Sequence, residues 1–77
     1  EKTIRVEYAG ERLKTGCGIQ TCARGRLHLV EVRLNGRKLR PSETNGYYSW
    51  SEGCTTFTVV AVADFRPGEH LIEITYR

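Results

Sequence analysis

The chain has no methionine, one tryptophan, two prolines and three cysteines among its 77 residues. No apolar run approaches the roughly 18 residues that a membrane-spanning helix needs. The sequence does not open with a charged segment followed by an apolar one, so we expect that any signal peptide has been removed or never existed. Three cysteines form at most one internal disulfide, which leaves one thiol free or shared with another chain.

The composition is typical of a folded domain and not of a disordered chain, with 39% hydrophobic and 27% charged residues. A chain of 77 residues forms one domain with a thin core. We therefore expect residues 1–77 to be a single module. Because strand-like sequence begins almost at once, at TIRVEY, we expect a module excised from a longer protein.

Residues 55–76 contain the strongest strand signal. In TTFTVVAVA both faces are apolar, which predicts a strand at the centre of a sheet. Phe57, Val59, Ala61 and Ala63 share one face, and Val60 and Val62 the other. The following LIEITY alternates as a half-buried strand does. Between them, Pro67 and Gly68 are typical of a type II turn, so we predict that the two strands form a hairpin.

A second hairpin is predicted at Asn35-Gly36, because both central residues of a type I′ turn need positive φ. A two-residue loop places Arg33 opposite Lys38 and Leu34 opposite Arg37. The apolar residues before the turn change parity between Leu29 and Val30, which predicts a β-bulge near residues 28–30.

The whole chain is predicted to be all-β. We count six or seven short strands, find no stretch of helical period, and expect a compact antiparallel sandwich of immunoglobulin-like type, with a small β-barrel as the alternative. Residues 14–25, KTGCGIQTCARG, have no sustained period and are predicted to be a loop of about a dozen residues.

The pattern VEVRLNGRKL, then an aromatic segment, then FTVVAVADFRPGEHLIEITY resembles part of a known class of module. It is similar to the second half of small immunoglobulin-like or PEGA-like β-sandwich modules of bacterial and viral surface proteins and polysaccharide-active enzymes. The likeness covers residues 29–76. It implies a sandwich fold and an accessory role in a larger extracellular or surface protein. The cysteine-containing segment of residues 14–25 lies outside it.

The three cysteines have several possible roles. A disulfide from Cys17 or Cys22 to Cys54 would close a loop of roughly thirty residues and stabilise the domain by about 3 to 4 kcal/mol. Alternatively, all three are reduced in a cytosolic protein. As a third possibility, they form a zinc site completed by His28 or His70.

A thiol-redox role is the remaining alternative for Cys17, Cys22 and Cys54. A reactive thiol needs a positive neighbourhood. Lys14, Arg24 and Arg26 supply nearby cations in the sequence.

Tyr47, Tyr48 and Trp50 form the densest aromatic cluster. In a strand, Tyr48 and Trp50 share one face and Tyr47 takes the other. If Tyr48 and Trp50 face outward, they make a platform with polar handles that suits a partner's pocket or a sugar ring. Otherwise Trp50 fills the core of the sandwich.

Arg33, Arg37, Lys38 and Arg40 form a basic hairpin that is a candidate site for phosphate or acidic glycans. The alternative is a solvated strand face whose charges prevent edge-to-edge pairing. Nucleic acid is disfavoured as a partner, because neither an RNP-type nor a helix-turn-helix pattern is present. Residues 1–40 carry a net charge of +6 and residues 41–77 one of −3, so the surface is either divided in charge or mixed by interleaved strands.

No nucleophile elbow, metalloprotease motif or phosphate loop is present, so the sequence predicts neither an enzyme nor a cofactor. We expect a non-enzymatic binding or assembly module at the cell or virion surface or outside the cell, or in the cytoplasm if the cysteines are reduced. The expected partner is another protein or subunit, with carbohydrate next. An odd cysteine and open sheet edges make a homo-oligomer reasonable.

Overall fold

The computed structural model describes residues 1–10, 18–62 and 66–77, and these residues are all-β, as predicted. They contain seven strands and no helix. The strands are β1 (Lys2–Gly10), β2 (Ile19–Arg24), β3 (Leu29–Leu34), β4 (Arg37–Lys38), β5 (Gly46–Glu52), β6 (Thr55–Ala61) and β7 (Gly68–Tyr76). A search of the same residues for a helix able to span a membrane finds none.

The strands form two antiparallel sheets, an arrangement compatible with a β-sandwich or a small barrel. One sheet has four strands in the order β1-β7-β3-β4, and the other has three in the order β2-β6-β5. β6 is therefore the central strand of its sheet, which confirms the prediction made from its two apolar faces.

The core lies between the two sheets. The largest fully buried aliphatic side chains are Val32, Val60, Ile72 and Ile74. The phenol of Tyr76 is buried with them and forms a hydrogen bond of 2.6 Å with the hydroxyl of Thr58. Because Tyr76 belongs to one sheet and Thr58 to the other, this bond ties the sheets together through the core.

The predicted hairpin of residues 55–76 is wrong, because β6 and β7 belong to different sheets. β7 instead pairs along its whole length with β1, which places Ile4 opposite Ile74 and Val6 opposite Ile72. This pairing buries Ile72 and Ile74 of β7 and packs the partly buried Ile4 and Val6 of β1 against the core. Gly68 does have the positive φ, +125°, that the turn prediction required. Ala63 lies outside the described residues.

The hairpin of β3 and β4 is confirmed in turn type and in register. Asn35 and Gly36 have φ values of +52° and +83°. Arg33 lies opposite Lys38 and Leu34 opposite Arg37. The register of β3 against β7 shifts between Leu29 and Glu31, so the predicted bulge is also present.

The prediction of one loop over residues 14–25 is wrong for residues 19–24, which form β2. Ile19, Thr21 and Ala23 alternate with more exposed residues, and the strand pairs with β6. Small and polar side chains weaken this alternation in the sequence. Residues 11–17 lie outside the described residues.

The charges of the two halves of the chain mix in space. β7, from the acidic half, lies between β1 and β3, from the basic half. Arg5 therefore forms an ion pair of 3.3 Å with Glu73 across the strands. Of the two arrangements predicted from the charge distribution, the structure has the interleaved one.

Candidate functional site

The outward side of the three-stranded sheet carries an apolar and aromatic surface, which we call the aromatic face. Along β6, Thr56, Thr58 and Val60 are buried on the inner side, so the alternate residues point outward. The aromatic face consists of Gln20 and Cys22 from β2, Tyr48 and Trp50 from β5, and Phe57 from β6. Val59 lies on the same side of β6 but is only 6% exposed.

Strand register arranges this face in rows. Trp50 lies opposite Phe57, which lies opposite Cys22. In the next row, Tyr48 lies opposite Val59. Cross-strand neighbours stand about 4.5–5.5 Å apart at their Cβ atoms, so each row is a set of touching side chains.

The three rings of the face are stacked on one another. The ring centroids of Trp50 and Phe57 are 5.1 Å apart, and those of Tyr48 and Trp50 are 5.9 Å apart, with interplanar angles of 19° in both pairs. Tyr48 is 38% exposed and Trp50 is 36% exposed. The indole Nε1 of Trp50 donates a 2.8 Å hydrogen bond to Glu52. The rings are thus held in place while remaining open to solvent.

The polarity of β5 explains why its aromatic side points outward. Its inner side carries Ser49 and Ser51, whose hydroxyls lie 3.3 Å and 3.1 Å from those of Thr58 and Thr56. Ser49 also donates a 2.6 Å hydrogen bond to the carbonyl of Phe57. Because these hydroxyls bond one another, β5 turns its serines toward Thr56 and Thr58, with Ser49 exposed at the sheet edge, and its large rings to the other side.

The predicted aromatic cluster divides between the two sides of β5. Tyr48 and Trp50 share the outer face, as the alternation required, and Tyr47 packs against the core on the inner side. The alternative in which Trp50 fills the core is wrong. The large buried ring of the core is Tyr76, from the opposite sheet.

Sequence reasoning missed the contribution of Phe57 and Cys22 to this face. A usable signal is Gly53, which has a φ of +58° and occupies the first of two turn positions between β5 and β6. A glycine at that position favours a type II′ hairpin. A two-residue turn at residues 53 and 54 places Trp50 opposite Phe57 by strand register alone.

No family model, no curated protein and no solved structure matches this chain. The likeness of residues 29–76 to immunoglobulin-like and PEGA-like modules thus stays a prediction.

The predicted basic residues lie on a face of mixed charge. Arg33, Arg37, Lys38 and Arg40 are exposed. Arg33 forms a 3.2 Å ion pair with Glu31 and donates to the carbonyl of Gly36 at 3.1 Å. Its cross-strand neighbour in β7 is also a glutamate. These carboxylates reduce the positive potential that a polyanion would meet.

The predicted disulfide between Cys22 and Cys54 is wrong, because both are free and exposed. Cys22 lies opposite Phe57, three residues beyond Cys54 on the neighbouring strand. Three residues of strand span roughly 10 Å, more than the 7 Å that a disulfide bridges between Cα atoms. Cys17 lies outside the described residues, but because Cys54 is free, the alternative bridge from Cys17 to Cys54 is wrong as well.

The predicted zinc set does not converge among its described members. In residues 1–10, 18–62 and 66–77, no three His, Cys, Asp or Glu side chains gather as a metal site would need. Cys22 belongs to the three-stranded sheet, whereas His70 lies in the four-stranded sheet and stacks on Tyr8 with a centroid distance of 6.3 Å. The thiol-redox alternative requires cations near a cysteine. One of the predicted cations, Arg26, donates to the carbonyl of Gly53, the residue before Cys54, at 3.1 Å.

A separate polar cleft of about 270 Å³ lies where β1, the β3–β4 turn and β7 meet. Asn35 organises it through both ends of its side-chain amide. Its Oδ1 accepts from the amide of Leu71 at 2.8 Å, and its Nδ2 lies 3.0 Å from Nδ1 of His70. Since an amide nitrogen only donates, Nδ1 of His70 accepts, and its Nε2 donates to the carbonyl of Arg66 at 2.8 Å.

The Asn35 contacts predict an unusual result for a turn residue. Asn35→Gly should lower the free energy of unfolding by about 1 to 2 kcal/mol, although glycine accepts positive φ at least as well, because two side-chain hydrogen bonds are lost. Asn35→Asp, which keeps the acceptor for Leu71, should cost less. Urea denaturation of the three proteins measures both changes. A stability of Asn35→Gly equal to the original would show that the side chain matters only for turn conformation.

Proposed function

We propose that this chain is a non-enzymatic binding or assembly module that engages another protein through its aromatic face. The observation that carries the proposal is the stacked set of Tyr48, Trp50 and Phe57 on the outside of a sheet. Contiguous exposed apolar patches on small domains mark interaction sites more often than isolated apolar residues do. Tyrosine and tryptophan are the residues most enriched among those that dominate binding energy.

The surroundings of the aromatic face support a protein partner. Gln20 on the face, and Arg24 and Glu52 at one end of it, are exposed, so polar side chains border the rings. An apolar centre with a polar rim is the usual anatomy of a protein interface. The rings are already held by stacking and by the Trp50–Glu52 hydrogen bond, which lowers the entropy lost on binding.

We infer further that the fold is an immunoglobulin-like sandwich and that the module belongs to a larger extracellular or surface protein. Two facing antiparallel sheets support the first inference, as does the exchange of the chain between sheets after β1, β2, β4 and β6. The second rests on the resemblance of residues 29–76. With reduced cysteines, a cytoplasmic protein is the alternative.

Carbohydrate is the second candidate ligand of the same face. The near-parallel rings and the neighbouring amide of Gln20 favour it, because sugars bind proteins by stacking on rings and by hydrogen bonding to polar side chains. A charged polymer is less well suited to this face, since the predicted basic residues lie on the other sheet, where Arg33 is paired with Glu31 and lies opposite Glu73.

A displayed library of random twelve-residue peptides tests the proposal. We expect panning on the immobilised protein to enrich peptides that bind it and that bind a Tyr48→Ala, Trp50→Ala double variant at least tenfold more weakly. The matched control is Arg37→Ala, an exposed change on the other sheet, which should leave the affinity within twofold.

Two outcomes would contradict a protein-binding aromatic face: no enrichment above an unrelated β domain, or peptides that bind the double variant as tightly as the original. Affinity electrophoresis in gels that contain soluble β-glucan or glycol chitin covers the second candidate. Retardation that is lost in the double variant would replace protein by carbohydrate as the ligand. Circular dichroism should show an unchanged β spectrum for each variant.

A further inference from the structure

A second groove lies where β4 ends and the chain crosses to the other sheet. Its volume is about 550 Å³, within the usual range for ligand sites. It is lined by Val30, Lys38, Leu39, Arg40, Pro41 and Tyr47.

The groove lies beside Pro41, three residues after the end of the short strand β4 at Lys38. A proline has no amide hydrogen and cannot continue a strand ladder. The chain turns instead toward β5, where the amide of Tyr47 donates to the carbonyl of Arg40 at 3.1 Å and the amide of Ser42 donates to the carbonyl of Tyr47 at 2.9 Å. Among the described residues, the start of β3 therefore has no partner on its β4 side.

The open edge of β3 can be located from its hydrogen bonds. On the β4 side, the carbonyl of Val32 accepts from the amide of Leu39 at 2.9 Å. In the part of the chain that the structure describes, the pairing of β3 with β4 does not extend to residues before Val32. An extended peptide added at such an edge gains main-chain hydrogen bonds.

The β-bulge supplies an apolar contact at this edge. Val30 lies at the register shift between Leu29 and Glu31 and is 40% exposed, the highest value among the large hydrophobic residues described. Bulges re-aim single side chains and are frequent beside functional sites. Here the bulge turns a valine out of the core and into the wall of the groove.

The charges that line the groove have one sign. Lys38 and Arg40 are the only ionisable side chains of fixed charge among its lining residues, and none of those residues is acidic. The nearby carboxylate of Glu31 is engaged by Arg33 at 3.2 Å. A ligand with carboxylates next to apolar groups would complement both features.

We infer that this groove binds an extended segment of a partner protein in which acidic and apolar side chains alternate. The segment would pair with the open edge of β3, direct its carboxylates to Lys38 and Arg40, and pack its apolar side chains on Val30 and Tyr47. The open backbone edge and apolar wall favour a peptide over a polysaccharide. This site is separate from the aromatic face, and its test does not depend on the function proposed for that face.

Fluorescence anisotropy with a labelled Glu-Val-Glu-Val-Glu-Val peptide tests the inference. We expect saturable binding that weakens at least tenfold when the glutamates are replaced by glutamine, and at least tenfold when alternate peptide nitrogens are methylated. Lys38→Ala and Arg40→Ala should each weaken binding at least threefold, and Val30→Ser by a similar factor. All three residues are exposed, so the variants should fold.

Lys2→Ala is the matched control, because it removes an exposed cation from the far edge of the same sheet and should leave the affinity within twofold. Trp50→Ala should also bind the peptide normally, which separates this site from the aromatic face. The inference is overturned by no binding at 1 mM peptide, by equal losses for Lys2→Ala and Arg40→Ala, or by a methylated peptide that binds unchanged. If heparin bound more tightly than the peptide, and if Val30→Ser left the heparin affinity unchanged, the groove would be a polyanion site instead.

Discussion

Gly46→Ala should destabilise the protein by about 3 to 5 kcal/mol, the largest effect that we expect from adding a single methyl group. Gly46 is buried at the start of β5, and a Cβ there would collide with the carbonyl oxygen of Arg40. The same Cβ would lie 3.1 Å from that of Ser42. Relief requires residues 40–42 to move away from β5, which breaks the two backbone hydrogen bonds that join this segment to Tyr47.

Gly53→Ala is the control for this prediction. Gly53 has a positive φ of +58°, yet a Cβ on it would meet nothing within 4 Å. We therefore expect only the cost of the left-handed conformation, about 1 to 2 kcal/mol. Urea denaturation gives both values. If Gly46→Ala were no more harmful than Gly53→Ala, the close crossing of residues 40–42 over β5 would be wrong.

Thr58→Val should lower the free energy of unfolding by about 2 kcal/mol, although valine has nearly the same shape. Thr58 is fully buried and Tyr76 is 1% exposed, so the change leaves the phenol of Tyr76 in the core without its partner. A buried polar group that loses its hydrogen bond costs about 1 to 3 kcal/mol. In a domain of this size, we expect the Tm to fall by roughly 8 to 16 °C.

Tyr76→Phe should be milder, because the hydroxyl of Thr58 keeps a second neighbour in Ser49 at 3.3 Å. The double variant, Thr58→Val with Tyr76→Phe, has no orphaned group and should be more stable than Thr58→Val alone. Thermal denaturation of the four proteins completes the cycle, and we expect a coupling of about 1 to 2 kcal/mol. Strictly additive losses would mean that the two hydroxyls do not interact across the core.

Features set by neighbouring residues can be predicted from the sequence. Asn35-Gly36 determines its own turn, and the turn determines the register of Arg33 against Lys38. The bulge beside Val30 follows from a change in the parity of apolar residues. Each depends on a few adjacent positions, where backbone sterics and side-chain alternation act directly.

Features set by the choice between sheets cannot be predicted in this way. β6 is apolar on both sides, so its pattern does not say which neighbour covers which side. A turn glycine at Gly68 is compatible with a hairpin and with a crossing to another sheet alike. The outward position of Trp50 depends on Tyr76, which already fills the core from the other sheet. Such competition for core volume has no local signal.

The candidate site is predicted only in part for the same reason. Alternation places Tyr48 and Trp50 together and Tyr47 apart, as the structure has them. Phe57 and Cys22 join them only through pairing across three strands, and the sequence of one of those strands, β2, is typical of a loop. Only the strand order shows that the aromatic cluster of β5 belongs to a face built from three strands.

Trp50 is the only tryptophan, so its fluorescence tests most directly whether the aromatic face is open to a partner. The decisive measurement is acrylamide quenching of the native and the urea-unfolded protein at low concentration. A partly exposed indole predicts a native quenching constant that is a substantial fraction of the unfolded one, and a fall in that constant when a partner binds. A native indole that acrylamide does not quench, with emission shifted to the blue, would place Trp50 in the core and contradict the account.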